Sequence, residues 1–226
     1  METAAQEQLG LFGGLAKFMD EGGTFMYVIL LVWIAAMVVA AERFIALNKY
    51  DVDAPSFMGK VRKFILDNEI QHAINLCSAS AALIAGVFKE GLKRANQSRQ
   101  QIQDVVESTI IEANSKAEQR LGAIALAANI STLLGLLGTI SGLISSFQSL
   151  AGADPAEKAE KLTLGISTAM NTTMLGLISG ISLLVMHSYL TGRVEKITSQ
   201  IDQYSMRLID VLGTKKNSEY DQEEAA

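Results

Sequence analysis

The sequence predicts an all-α membrane protein with three transmembrane helices, long cytoplasmic helical extensions, the N-terminus outside and the C-terminus inside. Three observations carry that prediction. First, the 226-residue chain has three stretches free of Asp, Glu, Lys and Arg: Gly22–Ala41, Leu121–Ala153 and Leu162–Gly192. Each reaches the ~20 residues that a bilayer crossing needs. Second, the only prolines are Pro55 and Pro155, so long helices can run unbroken. Third, Lys and Arg are segregated. Eleven lie in Arg43–Arg120 and five from Arg193 onward, against Lys17 alone near the start and Lys158 and Lys161 between the last two spans. Basic loops stay in the cytoplasm, which sets the orientation.

Taken in order, residues 1–21 form an N-terminal periplasmic segment. Its Leu9, Phe12, Leu15 and Phe18 or Met19 fall at helical spacing, which suits an amphipathic helix on the membrane surface or a plain lead-in to the first span. Residues 22–41 are transmembrane helix 1, the most lipid-like of the three, ending where Glu42 and Arg43 restore charge. Residues 42–120 form a cytoplasmic helical domain. Phe57, Val61, Phe64 and Ile65 share one face, and Ile74–Cys77, Leu83, Val87 and Leu92 continue in short amphipathic pieces. From Gln100, the periodic residues Ile102, Val105 or Val106, Thr109, Ala113, Lys116 and Arg120 meet no Gly or Pro. One uninterrupted helix into the second span is therefore expected.

Residues 121–153 are transmembrane helix 2. A periplasmic turn, 154–161, follows, with Asp154 as N-cap and Pro155 at the first helical position. Residues 162–192 are transmembrane helix 3. Its cytoplasmic extension, 193–213, carries Val194, Ile197, Ile201, Tyr204, Leu208 and Val211 as a coiled-coil-like stripe, suited to the Gln100–Arg120 helix or to a neighbouring subunit. The acidic, polar tail 214–226 reads as disordered.

Several function classes drop out. The lone Cys77 precludes an intrachain disulfide and has no neighbouring ligands at metal-site spacing, so no metal site or cofactor is expected. There is no nucleophile–base constellation or phosphate loop, so no enzyme is expected. There is no basic run interleaved with aromatics, so no nucleic acid is expected as partner. Nor does the polar, acidic start resemble a cleavable signal. His187, near the inner end of the third span, reads as an interfacial hydrogen-bonding residue, and Trp33 as packing or lipid-facing.

The second and third spans are unusually polar. Ala128, Gly135, Gly142 and Ser149 recur every seven residues, as do Ser131, Gly138, Ser145 and Gly152, with Thr132, Thr139 and Ser146 beside them. In the third span Gly176 and Gly180 form a GxxxG pair beside Gly165, Thr168, Thr172, Ser179 and Ser182. Small residues let membrane helices approach closely. If Ala156 is the hairpin apex, Thr139 lies seventeen residues before it and Thr173 seventeen after. An antiparallel pair then sets them at one depth, with Thr172 and Asn171 adjacent. Level hydroxyls in a bilayer serve either as packing glue, bonded back to their own helix, or as part of an ion path. The sequence alone leaves both open.

The blocks GLLGTISGLISSFQSL (Gly135–Leu150) and GISTAMNTTMLGLISG (Gly165–Gly180) resemble the signature of the TolQ/ExbB/MotA proton-channel family, and Glu42-Arg43 after the first span is a further similarity. One span before the large loop resembles the three-span TolQ/ExbB type. The resemblance implies a bacterial inner-membrane, multi-pass ion-channel or stator subunit of a molecular motor. Five copies, a homopentamer, would surround two copies of a single-span ExbD/TolR/MotB-like partner, each with one intramembrane Asp. That Asp would be the charged carrier this chain lacks. Thr139 and Thr173 match the family's pore threonines, and Thr172 and Thr168 complete the expected ion pathway. Gly135, Gly138, Gly142, Gly176 and Gly180 are the expected helix-packing positions. Tol and Exb members often carry Glu where Thr168 stands, and the Thr139/Thr172/Thr173 set resembles sodium-type stators. The transported cation is thus H+ or Na+, with hydroxyl and carbonyl oxygens favouring Na+. A non-conducting membrane scaffold and a self-contained transporter are the competing readings.

Overall fold

A computed structural model describes residues 13, 18–19, 22–150 and 154–224, without the side chains of 155–156 and 215–224. Among the described residues every regular element is helical, and three helices are long and apolar enough to cross a membrane. The elements are α1 (Thr24–Tyr50), α2 (Ala54–Leu66), α3 (Ile70–Ala79), α4 (Leu83–Lys93), α5 (Arg99–Glu118), α6 (Leu121–Leu150) and α7 (Pro155–Glu224). They group into two compact units. One takes the described residues up to Ala41 with Arg120–Ser188, and the other takes Glu42–Gln119 with the chain from Tyr189 onward.

The first, membrane unit is built from the three apolar runs. Met26, Ile29, Ala36 and Ala40 of α1 are buried, spaced three, seven and four apart, as one face of a helix must be. On α6 the buried positions are Leu121, Ile124, Ala128, Ser131, Gly135, Gly138 and Ser146, which is the small-residue face. The expected N-terminal amphipathic segment falls almost wholly outside the described residues.

In the second, hydrophilic unit, short amphipathic helices close around one apolar core. Asp53 and Pro55 open α2, and Asn68 ends it in a left-handed conformation (φ 61°) that lets Glu69 N–H reach Phe64 O at 2.8 Å. Asn tolerates that conformation better than most residues. Ser98 and Gln101 form a reciprocal capping box at the start of α5, satisfying two donors that a helix start otherwise leaves free. Phe57 and Phe88 meet with ring centroids 5.9 Å apart. Ile197, Ile201 and Leu208 of the α7 stripe are buried within this same chain. A Cβ on Gly91 of α4 would lie 3.2 Å from Leu208 Cδ2 and 3.0 Å from Val106 of α5. The stripe therefore packs on the short helices as well as on α5. Leu212, rather than Val211, is its last buried residue. Arg99 and Asp210 pair at 2.7 Å across α5 and α7.

Three boundaries differ from the sequence reading. The expected single helix from Gln100 into the second span is broken. Gln119 has ψ 134°, Arg120 is left-handed at φ 64°, and α6 restarts at Leu121. The burial spacing hid the break: Ala113, Ala117, Leu121, Ile124 and Ala128 keep a three- or four-residue step straight through it. No Gly or Pro lies within it, and Gly122, two residues on, is already helical. Second, α7 starts at Pro155, with Glu157 N–H bonded to Asp154 O at 3.0 Å. Most of the expected 154–161 turn is therefore helix. Third, the helix continues to Glu224, through the tail read as disordered. Its Lys, Glu and Gln are good helix formers, and acidity argues against burial, not against helical backbone.

Candidate functional site

The glycines of α6 and α7 bring two backbones together inside the membrane unit. A Cβ on Gly176 would lie 2.7 Å from Gly135 Cα and 2.8 Å from Ser131 O. A Cβ on Gly142 would meet Ala169 Cβ at 3.0 Å, and one on Gly180 would meet Ala128 O at 3.1 Å and press on the Thr132 hydroxyl. Gly138 faces the Thr172 methyl, and Gly165 faces Ser146. Only glycine allows this approach.

That approach positions Thr139 of α6 and Thr173 of α7. Their hydroxyls hydrogen-bond to one another. Thr139 Oγ1 also lies 3.2 Å from Gly135 O and 3.4 Å from Ala169 O, and Thr173 Oγ1 donates to Gly135 O at 3.1 Å. Two hydroxyl and two carbonyl oxygens thus converge where the helices are closest. Hydroxyl groups that share carbonyls already used by the helix add oxygen density without charge. Both threonines are half-buried.

The other two threonines of the expected pathway turn elsewhere, because one residue advances a helix by about 100°. Thr172 is 1% exposed and lies within 2.9 Å of both Gly22 O and Thr168 O, which its hydroxyl bonds. Gly22 and Gly23, the latter left-handed at φ 74°, lead into α1. Thr168 also faces that entry: its methyl is the nearest atom, at 4.0 Å, to a Cβ built on Gly23. Thr139 and Thr173 therefore form one cluster, and Thr168 and Thr172 hold the start of α1.

Sequence reasoning missed a third polar contact. Trp33 Nε1 donates to Ser182 Oγ at 2.8 Å, and Ser182 donates to Ser179 O at 2.8 Å. An indole N–H in a span requires an acceptor, and the hydroxyl stripe of the third span supplied one. Arg43, at the boundary of the first span, is 4% exposed and reaches Glu42 at 3.2 Å and Gln119 Oε1 at 3.4 Å. It is a buried residue of the hydrophilic unit. No group of three or more potential metal ligands occurs among the described residues.

The sequence profile of the MotA/TolQ/ExbB proton channel family matches residues 79–203, which covers both the threonine cluster and its glycine frame. The chain belongs to this family. Among its relatives, a biopolymer transport protein ExbB homolog from Methanothermobacter thermautotrophicus is 29% identical over 196 residues, 86% of this chain and 69% of that one. A Tol-Pal system protein TolQ from Pseudomonas aeruginosa is 25% identical over 146 residues, covering 60% and 63%. TolQ from Haemophilus influenzae is 32% identical over 80 residues, 35% of each chain. MotA/TolQ/ExbB membership and the three apolar helices make the chain a multi-pass membrane protein, of a family of channel-type energy-transducing subunits rather than enzymes.

Proposed function

We propose that the chain is the channel subunit of an ion-driven inner-membrane motor, oriented with its N-terminus outside. Five copies would enclose two single-span ExbD/TolR/MotB-type partners. The observation that carries this reading is the Thr139–Thr173 cluster: four oxygens meet in a span with no Asp, Glu, Lys or Arg. A partner Asp passing this level would find hydroxyls able to accept or donate as its cation loads and leaves. Each elementary charge moved down 100 mV supplies about 2.3 kcal/mol, the scale of one conformational step.

One further fact fits an assembly. In the most apolar window of the three spans, only 22%, 28% and 33% of residues are buried within the chain. The remainder, including Leu133, Ile140 and Phe147 of α6 and Met170 and Ile181 of α7, needs lipid or other copies around it. Sodium is the cation we favour, because uncharged hydroxyl and carbonyl oxygens are its ligand type.

The scaffold reading has one observation on its side. Thr139 and Thr172 both bond to the carbonyl one turn back, as structural hydroxyls do. Thr139→Val and Thr173→Val separate the two readings. With native mass spectrometry to follow assembly and a sodium or proton flux assay in vesicles, a motor keeps its complex and loses flux. Unchanged flux in both variants would sink the channel reading. Flux that follows a proton gradient and ignores sodium would sink the cation assignment alone.

A further inference from the structure

The hydrophilic unit contains a cavity that the motor reading does not use. It has a volume of ≈420 Å3 and lies between α2 and the far part of α7. Its apolar walls come from Pro55 and Met58 on one side and Tyr204 and Val211 on the other. Gly59 leaves one wall open, since a Cβ there would meet nothing within 4 Å. The cavity opens to solvent along Gly59, Arg62, Arg207 and Asp210, and its volume is that of a small-molecule site.

Its charge is unbalanced. Arg62 and Arg207 line the cavity, and among the described residues neither has an acidic partner. The one carboxylate in the lining, Asp210, is taken by Arg99 at 2.7 Å. With Asp210 neutralised by Arg99 from outside the lining, Arg62 and Arg207 leave the cavity with two uncompensated positive charges. Arg207 lies over the Tyr204 ring, 4.9 Å from its centroid. Stacking restrains a guanidinium and leaves its N–H edge free for a two-point contact with phosphate. A terminal phosphate carries about −1.5 to −2 charges near neutrality, which matches the excess.

We propose that this cavity binds a phosphorylated small molecule with a flat apolar body, of the nucleotide class. Arg62 and Arg207 grip the phosphate, and Pro55, Met58, Val211 and the Tyr204 side chain cover the apolar body. The site draws on no residue of the threonine cluster, so it stands or falls separately from the ion pathway.

Isothermal titration of the purified full-length protein with ADP, adenosine and inorganic phosphate tests the assignment. ADP should bind saturably, more weakly as salt rises, and at least about tenfold more tightly than adenosine or phosphate alone. Arg62→Ala and Arg207→Ala should each weaken ADP about tenfold or more. Gly59→Leu should abolish binding by filling the cavity while both arginines remain. All three positions face open space or solvent, so each variant should still fold. Without ligand, Arg62→Ala should melt with the wild type, and Arg207→Ala only slightly lower through loss of its exposed cation–π contact. Gly59→Leu, inside a helix, should match the wild type or melt higher. Three results would overturn the site: no saturable ADP heat, ADP binding indifferent to both arginine variants, or ADP binding that survives Gly59→Leu. Saturable binding of an acidic peptide such as Glu-Tyr-Asp-Gln-Glu-Glu in place of ADP, lost in the same variants, would overturn the ligand class.

Discussion

Gly176→Ala adds one methyl group at the closest approach in the membrane unit. The new carbon would sit 2.7 Å from Gly135 Cα and 2.8 Å from Ser131 O, both backbone atoms of α6. Carbon atoms rest about 3.5–4.0 Å apart, so the helices must separate by roughly 0.8–1.3 Å. No flexible side-chain end is available to yield. Overpacking of this kind destabilises by about 1–3 kcal/mol. Alanine is about 0.8–1 kcal/mol better than glycine in a helix interior, so the net loss should be about 0–2 kcal/mol. Gly192→Ala on the same helix supplies the control, since nothing lies within 4 Å of its Cβ. It should gain about 0.8–1 kcal/mol, which leaves the two variants about 1–3 kcal/mol apart. Thermal unfolding of the detergent-solubilised protein, wild type beside both variants, reads the difference. The separation also pulls Thr173 from Gly135 O, so flux should fall with stability in Gly176→Ala and stay unchanged in Gly192→Ala. If Gly176→Ala proves as stable as Gly192→Ala, with flux intact, the close approach does not hold the cluster and the reasoning is refuted.

Other expectations follow from the same geometry. Gly23→Ala should lower stability by about 1–2 kcal/mol through backbone strain alone, because φ is 74° and the nearest atom to the new Cβ is 4.0 Å away. A Gly23→Ala melt equal to wild type would exclude that strain. A double-mutant cycle between Trp33→Phe and Ser182→Ala should return a coupling of about 0.6 kcal/mol, the usual size of a hydrogen bond between membrane helices, and a zero coupling would remove the 2.8 Å contact from the account. Burial pushes the Cys77 thiol up to about 11, with Lys89 opposing. At pH 8 roughly one thiol in a thousand is then ionised, so iodoacetamide should label it only after unfolding. The raised folded value also means that the unfolded chain releases the proton first. This contribution to stability is complete below about pH 9 and declines as pH rises towards 11. Cys77→Ser should abolish that part of the pH dependence, and a slope that persists in Cys77→Ser belongs to another group.

The sequence by itself determined the class of the protein, because a bilayer imposes requirements that are one-dimensional. Three charge-free runs of sufficient length, small residues at helical spacing and segregated Lys and Arg are properties of consecutive residues. The apex count that levels Thr139 with Thr173 needed only an antiparallel hairpin. The same arithmetic could not separate Thr173 from Thr172, since depth along a helix says nothing of the direction around it. Packing decided that: Gly135 against Gly176 turns Thr173 to Thr139 and leaves Thr172 to Gly22 O. The break at Arg120 was also beyond the sequence, because a burial pattern can stay in step while the backbone leaves the helix for two residues. Trp33 read as packing or lipid-facing, and only the tertiary structure paired its indole N–H with Ser182 among the hydroxyls of the third span. Periodicity fixes which residues share a face, and the close approach of two particular backbones fixes which of those residues meet.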